Sequence, residues 1–287
     1  MARQRFIAPQ RAAIDRSVFD HPVFAEFAFA QSWLKADRWP DLQTLDSALA
    51  ERLAEFGLPR TRVVAQTPVL LADGLHYEQR IAEGQLATRE CNWHDLLNAL
   101  VWMRHPRLKR AMNLRQCQDI AKVGVKQRTR AQAALTHFDE AGAVVVLRDR
   151  HRIDAWNRHD WQSLFLDLSP DAVAVSIVGH ALLEHRLEPD RLLVGKAWVW
   201  LDAKPHERLE GVLQACARQI AEGEALNDPL ELRPFPMMGL AGWHPHAGTP
   251  GFYAEAPCFQ PVRVGRTYPS PSSLGTERSC EAEASCG

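Results

Sequence analysis

The sequence predicts an α+β fold, namely a single large domain that is mostly helical, with short strands and at least one β-hairpin. Segments with apolar residues three or four apart, the spacing of helices, alternate with apolar runs that are short enough to be strands. A hairpin is indicated over residues 135–147, where a turn-forming stretch from Asp139 to Gly142 separates two strand-like runs. This alternation and the hairpin favour an α+β domain over a doubly wound sheet. The chain also lacks the Gly-x-Gly-x-x-Gly motif of Rossmann-type dinucleotide-binding folds.

Length and composition indicate the domain organisation. A chain of 287 residues is near the upper limit for one hydrophobic core. We therefore expect a helical N-terminal lobe over residues 1–60 and a main domain over residues 61–265. Residues 266–287 are rich in Ser, Pro, Gly and Glu, and this composition predicts a disordered tail.

Charge and hydropathy argue against several classes of protein. A net charge of -1 gives no general attraction to nucleic acid or to anionic lipid. No apolar run reaches the roughly 18 residues of a membrane span, and the basic N-terminus leads into no apolar signal-peptide region. The cysteines form no Cys-x-x-Cys pair, so a zinc ribbon is not indicated. These features predict a cytoplasmic protein that does not interact with a membrane.

The N-terminal part of the chain predicts two helices and then short strands. The first helix is expected over residues 24–33, which are rich in aromatic side chains. The second is expected to end at Gly57 and Pro59, after leucines at spacings of three and four residues: Leu42, Leu45, Leu49 and Leu53. Residues 61–71 predict strands that are interrupted at Pro68.

The most informative segment is an almost uncharged helix over residues 92–103. Its only formal charge is Asp95, and a helix that is apolar nearly all round is expected to be buried. His94 and Asn98, which share a face at 100° per residue, would then be buried together with Asp95. Asn92 precedes the helix and is expected to cap it.

A basic segment follows over residues 104–130, after Pro106 has ended or kinked the helix. It holds nine basic residues against Asp119 alone. The favoured interpretation is a solvated helical face that is balanced by acids elsewhere in the fold. The alternative is a contact surface for nucleic acid or another anionic ligand, formed by Arg107, Lys109, Arg110, Lys126, Arg128 and Arg130.

A second pair of polar residues is predicted on a later helix. Ser169-Pro170-Asp171 is a good helix start, and in the helix expected after it His180 and Glu184 fall on one apolar stripe with Val173 and Ile177. A histidine and a glutamate four residues apart can bond each other, bind one metal ion, or act as a base with its orienting carboxylate. Such a pair is more often a hydrogen-bonded contact in the core than a set of metal ligands. Asp139, in contrast, is explained by its turn alone.

The last third of the chain predicts a strand, a helix and a long segment without regular structure. The strand is expected over residues 192–201 and an amphipathic helix over residues 205–226. Residues 234–265 are rich in Pro and Gly, yet they hold several aromatic residues, including Trp243. We expect this segment to pack down, either as a cover over a cleft or as a seal on the core.

Several blocks of the sequence resemble a known family. The first block comprises Thr88-Arg89, Asn92-Trp93-His94-Asp95, Asn98 to Trp102, Pro106, Lys109 and Asn113. Later blocks are Phe138 to Gly142, Gly179 to Glu184 and Pro234 to Trp243. Together they are similar, over most of residues 60–262, to an uncharacterised bacterial family catalogued as domain of unknown function 3025. The resemblance implies a bacterial cytosolic origin and implies that the histidine-containing blocks belong together, but it brings no activity with it.

Three functional hypotheses follow. The first is a hydrolase-like enzyme, with or without a divalent metal ion. In it His94, Asp95, His180 and Glu184 are metal ligands or acid and base groups, Asn98 is a further catalytic residue, and Asp139 or Glu140 joins them. The residues expected to contact its ligand are Arg89, Lys109, Asn113 and Trp243.

The second hypothesis is a protein that binds nucleic acid or another polyanion through the basic segment. The third is a structural or interaction protein in which the buried histidines only support the fold. The signatures of serine hydrolases and of P-loop nucleotidases are absent from the sequence.

Overall fold

The computed structural model describes residues 6–274, and the N-terminal part consists of short helical segments around aromatic side chains. Three 3-10 segments lead into helix α1 (Gln31–Lys35), which is followed by α2 (Leu42–Glu55). Phe19, Phe24 and Phe27 are fully buried in this region. Both helices predicted for the first sixty residues are therefore confirmed, although much of the first has 3-10 rather than α geometry.

A small parallel sheet follows. Strand β1 (Arg62–Ala65) pairs with β2 (Gln85–Thr88), and helices α3 (Pro68–Leu71) and α4 (Tyr77–Ala82) connect them. The strand predicted after Pro68 is wrong, because this proline starts α3. Thr67 caps that helix with its hydroxyl, and the missing N–H of a proline costs nothing in a first turn.

Two consecutive helices form the centre of the molecule. Helix α5 (Trp93–Arg104) is buried from Asp95 to Met103, as its lack of charge predicts, and the Asn92 side chain caps it by accepting from the Asp95 backbone N–H at 3.1 Å. Helix α6 (Pro106–Val123) begins directly after the break at His105. Pro106 therefore ends the first helix and occupies the first turn of the next.

The hairpin predicted over residues 135–147 is wrong. Helix α7 (Arg130–Ala141) runs directly into strand β3 (Gly142–Leu147), so Asp139 lies in a helix and not in a turn. Thr129 starts α7 with a reciprocal capping box, in which Gln132 bonds back to the Thr129 backbone. A helix with this cap and an alanine-rich first half overrides the turn signal of the Asp and Gly residues.

The remaining elements are a pair of helices followed by strands and helices in alternation. They are α8 (Arg150–Arg158), α9 (Trp161–Phe165), β4 (Val173–Ile177), α10 (His180–His185), β5 (Val194–Leu201), α11 (Pro205–Glu222), β6 (Arg233–Pro236) and α12 (Pro250–Glu255). The single helix predicted through Val173 and Glu184 is wrong. Its first half is the valine-rich strand β4, since β-branched residues fit a sheet better than a helix.

A four-stranded mixed sheet organises the domain in the order β4-β3-β5-β6. Strand β3 is parallel to β5 and antiparallel to β4, while β6 is antiparallel to β5. All six residues of β3 are buried. Val145 packs into the core that contains α5, and Val144 packs on the opposite face with α11 and part of α7. The sheet therefore separates two hydrophobic cores, and the predicted mostly helical α+β class is confirmed.

The C-terminal part also packs on the main body. Met237 and Met238 are buried, as are Tyr253 and Phe259, so the Pro/Gly-rich segment packs down as expected. Ser272 pairs with β5 through the backbone of Val199 and Leu201. The rest of the predicted tail, residues 275–287, lies outside the described residues.

Between residues 6 and 274 no helix is both long enough and apolar enough to cross a membrane. The lobe boundary near residue 60, the cytoplasmic location and the bacterial origin stay predictions.

Candidate functional site

The candidate site lies where the ends of three helices meet. His94 is in the first turn of α5, Asp139 and Glu140 are in the last turn of α7, and His180 is the first residue of α10. A close backbone approach fixes the meeting of α7 and α10, because a Cβ atom at Gly179 would lie 2.5 Å from the Ala141 Cα. Only glycine fits there, and His180 is held beside the end of α7 as a result.

His94 and His180 face each other, each with its Nε2 atom. The Nε2 atoms of His94 and His180 are 3.0 Å apart, and the rings are nearly perpendicular. The Nδ1 atom of His94 lies 2.9 Å from the Glu184 carboxylate, which fixes a proton on that nitrogen. In a neutral His94 the Nε2 atom then carries a lone pair directed at the second ring.

His180 has a corresponding arrangement on its far side. Its Nδ1 atom lies 3.8 Å from Asp139 Oδ2, and this buried nitrogen makes no hydrogen bond within the described part of the chain. In the tautomer with its proton on Nδ1, which that carboxylate attracts, His180 also turns an Nε2 lone pair towards His94. Two nitrogen lone pairs 3.0 Å apart repel each other, so this approach needs either a proton on the Nε2 atom of His180 or a cation between the rings.

Glu140 supplies a third donor. Its Oε2 atom is 3.7 Å from His180 Nε2, and donor atoms of His94, Glu140 and His180 all lie within 4.8 Å of one another. Among residues 6–274 this is the one group of at least three such side chains with donor atoms so close together. We call these three residues the His-Glu cluster.

Burial and charge set different protonation preferences in the cluster. Burial lowers the pKa of His180 to about 3, so its imidazole is neutral at pH 7. The bond to Glu184 raises the pKa of His94. Burial raises the pKa of the Glu140 carboxyl. The site therefore holds a neutral His180 imidazole beside His94 and Glu140, which both keep a proton to a higher pH than usual.

A buried lysine stabilises the wall behind His180. The Lys109 ammonium, of which 4% is exposed, donates to Asp139 Oδ1 and, at 2.8 Å, to Asn98 Oδ1. Burial opposes ionisation of Asp139, but the charge of Lys109 and the hydrogen bond that it donates lower the pKa of this carboxyl overall. Asn98 in turn donates to the Tyr77 hydroxyl at 2.9 Å. This continuous chain of bonds keeps Asp139 charged and directed at His180.

The His-Glu cluster opens into a cavity of about 740 Å³. The cavity passes the Asn98 and Lys109 side chains and reaches Asn113 and the loop between α6 and α7. Pockets of this size are typical of sites for small molecules.

Comparison with known proteins adds a family but no activity. Residues 61–263 match the family described as "Protein of unknown function (DUF3025)". The chain belongs to the DUF3025 family. No curated protein and no solved structure matches it. All three residues of the His-Glu cluster lie inside the matched range of this DUF3025 chain.

The predicted ligands of the DUF3025 chain occupy different places around this cluster. His94 and His180 meet as expected of a shared site. Glu184 contacts the far nitrogen of His94, so it orients this ring rather than facing His180. Asp95 is held by Arg89, which donates to it from its backbone N–H at 2.6 Å and from its guanidinium at 2.8 and 2.9 Å. This pair lies beside the cluster as part of the cavity wall.

Three of the four predicted ligand-contacting residues line the cavity, and the fourth lies elsewhere. Arg89, Lys109 and Asn113 line the cavity. Asn113 donates to the Glu78 carboxylate at 2.7 Å, and burial raises the pKa of that carboxyl. Trp243 does not line the cavity, and its carbonyl bonds His21 at 2.8 Å instead.

The basic segment does not form one continuous cationic surface. Lys109 is buried, Arg104 forms ion pairs with Glu26 and Glu210, and Arg130 pairs with Asp228. These contacts favour the first interpretation of the segment, in which acids elsewhere in the fold balance it.

Two features of the site had weak signals in the sequence. Glu140 was one of two acids expected to join the histidines, but the hairpin interpretation obscured its place at a helix end. The Thr129 and Gln132 capping pair is the signal that identifies the helix. Tyr77 and Glu78 had no recognisable signal, because they reach the cavity from a short helix outside the polar blocks.

Proposed function

We propose that this DUF3025 protein is a hydrolase-like enzyme that binds a divalent metal ion between His94, His180 and Glu140. The observation that carries the proposal is the 3.0 Å approach of two Nε2 atoms with a carboxylate beside them. Ligands about 2.0 to 2.2 Å from one ion lie about 2.8 to 3.6 Å apart at octahedral or tetrahedral angles. The 3.0 Å spacing of the two nitrogens lies within this range, and the 3.7 Å from Glu140 Oε2 to His180 Nε2 is just above it.

The donor set is typical of a catalytic rather than a structural site. Two histidines and one glutamate leave a coordination position open for water, whereas structural zinc sites use four protein ligands. Held by His94, His180 and Glu140, a divalent ion would supply the chemistry typical of such sites, namely activation of water and polarisation of a carbonyl oxygen. The open position would face the cavity, where a substrate has access.

The surrounding carboxylates fit supporting roles. Histidine ligands usually direct their second nitrogen at a carboxylate, which fixes the ring and makes it a better donor. Glu184 supplies this contact to His94 directly, and Asp139 faces the second nitrogen of His180. Lys109 and Asn98 hold Asp139 in place, so they contribute to positioning.

The proposal is tested by the metal content of protein that has been purified without a metal-affinity tag. We expect about one equivalent of a transition metal per chain in the wild type, measured by inductively coupled plasma mass spectrometry. The His94→Ala/His180→Ala double variant should lose it. His137→Ala is the matched control, since this exposed histidine lies on α7 close to Glu140.

A folding defect is separated from loss of the site in two ways. Thermal melting of each variant shows whether it is folded. Glu140→Gln provides an independent test, because 44% of this side chain is exposed and its replacement should leave the core intact. A wild type that stays metal-free after dialysis against zinc, or a double variant that retains metal, would overturn the proposal. Hydrolysis of p-nitrophenyl acetate that a chelator abolishes and added zinc restores would support it.

A further inference from the structure

A second cavity lies next to the first and shares His94 and Glu140 of the His-Glu cluster with its wall. It has a volume of about 670 Å³ and lies between the chain at residues 6–11 and the ends of α5 and α10. Both cavities are lined by Arg89, His94 and Glu140. The cluster therefore lies between two spaces, each within the size range of a ligand pocket. A molecule that reached into both would pass the cluster at its middle.

The first cavity has a polar, cationic end. Lys126 and Arg128 lie at this end, on the loop that joins α6 to α7. Both are exposed, and no carboxylate within residues 6–274 forms an ion pair with either. Among the described residues, Arg128 donates only to the Thr136 hydroxyl. These two side chains are available to an anionic group of a ligand.

The second cavity has an apolar end. Phe6, Ile7 and Trp39 line it together with Trp93 and Ala181. Ile7 is 81% exposed, so its side chain is free to cover an apolar ligand. The arginines of this wall already have partners, since Arg11 is stacked on the rings of Trp39 and Trp93 at 4.5 and 4.8 Å and Arg89 donates to Asp95. The two ends of the cleft therefore differ in chemistry.

We infer, on the basis of the proposed function, that the substrate is an apolar acyl group joined by an amide or ester bond to an anionic part, as in an N-acyl amino acid. The acyl chain would lie against Phe6, Ile7 and Trp39, and the anionic part would extend towards Lys126 and Arg128. The bond between them would then lie at the His-Glu cluster. Hydrolysis needs only water, whose oxygen bonds to the carbonyl carbon while the carbon–nitrogen or carbon–oxygen bond breaks and the leaving group takes a proton.

Small hydroxamic acids test each end of the cleft separately, because the hydroxamate group binds a metal ion in all of them. The three probes are acetohydroxamate, octanohydroxamate and succinic acid monohydroxamate, titrated calorimetrically into zinc-loaded protein. We expect the octanoyl and succinyl compounds to bind about tenfold or more tightly than acetohydroxamate, from apolar burial and from charge attraction respectively. A phosphonate in place of the succinyl carboxylate shows which anion the cationic end prefers.

Single substitutions should remove the gain in affinity at one end of the cleft and leave the gain at the other end unchanged. Lys126→Glu should weaken only the succinyl compound, by about tenfold, which corresponds to about 1.4 kcal/mol. Ala181→Trp should fill the second cavity and weaken only the octanoyl compound. Ile7→Asp serves the same purpose at an exposed position and so avoids a folding defect. Arg208→Glu, an exposed arginine of α11 outside both cavities, should change neither.

The outcomes separate the two proposals. Equal affinity of all three hydroxamates, or variants that weaken all three alike, would overturn the two-ended cleft and leave the metal site standing. If the protein holds no zinc and binds no acetohydroxamate, the proposed function is overturned, and the substrate inference fails with it.

Discussion

Single residues in the site owe their chemistry to one or two neighbours. His94 and His180 have the same side chain, yet the pKa of the first is raised by a carboxylate at 2.9 Å and that of the second is lowered by burial. A metal ion binds neutral imidazole, so His180 is already in the form that binds. His94 gives up a proton to the ion at any pH below its own raised pKa, and the Glu184 contact keeps its ring directed at His180 while it does so.

Replacing this carboxylate tests its supporting role. We expect Glu184→Gln to lower zinc affinity by about 10-fold to 100-fold, as is typical when the contact behind a histidine ligand is lost. The pKa of His94 should also fall towards its ordinary value in the metal-free protein, because the bond to Glu184 is the main cause of its rise. Competition with a chelator measures the first effect, and a histidine NMR titration measures the second.

The matched control is Glu188→Gln, an exposed glutamate that follows α10 and forms an ion pair with Arg191. It should alter neither quantity. If Glu184→Gln left both the affinity and the titration unchanged, Glu184 would be a structural neighbour of His94 and no more.

At the level of elements, the site depends on how α10 is held against α7. The Val178 and Gly179 backbone N–H groups both donate to the Gly142 carbonyl, at 3.0 and 2.8 Å. This contact joins the end of β4 to the start of β3, and it places His180 directly beside Asp139 and Glu140. The element boundary is therefore part of the site.

A single methyl group at this boundary should disturb the site. In Gly179→Ala the new Cβ would lie 2.5 Å from the Ala141 Cα, and the backbone has to move apart. We expect a loss of about 1–3 kcal/mol in the free energy of unfolding, the usual cost of overpacking. Zinc affinity should fall further than in a variant that loses the same stability at a position away from the site, because His180 moves with the backbone. Urea denaturation and zinc titration measure the two effects.

Gly251→Ala is the matched control, because no atom of residues 6–274 lies within 4 Å of a Cβ at this helical position. It should keep both the stability and the zinc affinity of the wild type. Wild-type zinc affinity in Gly179→Ala would show that the close approach does not position His180.

For the whole molecule, several buried histidines connect stability to pH. His105 is buried between the two main helices and bonds the Ile177 carbonyl at 3.0 Å, and burial lowers its pKa to about 3. In the unfolded chain the pKa of a histidine is about 6.5. The unfolded state therefore takes up the proton first, so the contribution of His105 to stability is complete above pH 6.5 and is lost as the pH falls towards 3.

The variant His105→Gln isolates this effect, because glutamine keeps a donor but does not titrate. We expect it to be less stable than the wild type at pH 7. The difference in free energy of unfolding should shrink by about 2 kcal/mol between pH 7 and pH 5, at about 1.4 kcal/mol for each pH unit below 6.5. Glu26 and Glu78 have raised pKa values and change stability in the opposite sense, but they are present in both proteins and cancel. A constant difference across this range would contradict the prediction, and urea denaturation at each pH measures it.

The sequence identified the elements whose signals are local. The absence of charge over residues 92–103 predicted a buried helix, and the Asn92 side chain predicted its cap. The apolar spacing over residues 205–226 likewise predicted α11. Each of these signals depends on residues a few positions apart, which is the range over which helix periodicity and capping act.

Where local signals in the sequence conflict, contacts with the rest of the fold determine the type of secondary structure. Asp139 and Gly142 favour a turn in isolation, but the capped helix before them continues to Ala141 and the buried strand β3 begins at Gly142. Residues 173–177 have helical spacing, yet they pair with β3 in the sheet. Pairing with a neighbouring strand is a long-range contact, and local spacing carries no information about it.

What the sequence by itself determined is a mostly helical α+β domain with polar residues on a buried helix, and two histidines that lie in different blocks of one family resemblance. The tertiary structure alone decided that His94 and His180, 86 residues apart, face each other at 3.0 Å, and that Glu140 rather than Asp95 lies beside them. The reason is physical. Helix spacing fixes which side chains share a face, but the meeting of α5, α7 and α10 depends on how the mixed sheet and the Gly179 approach hold three separate chain segments together.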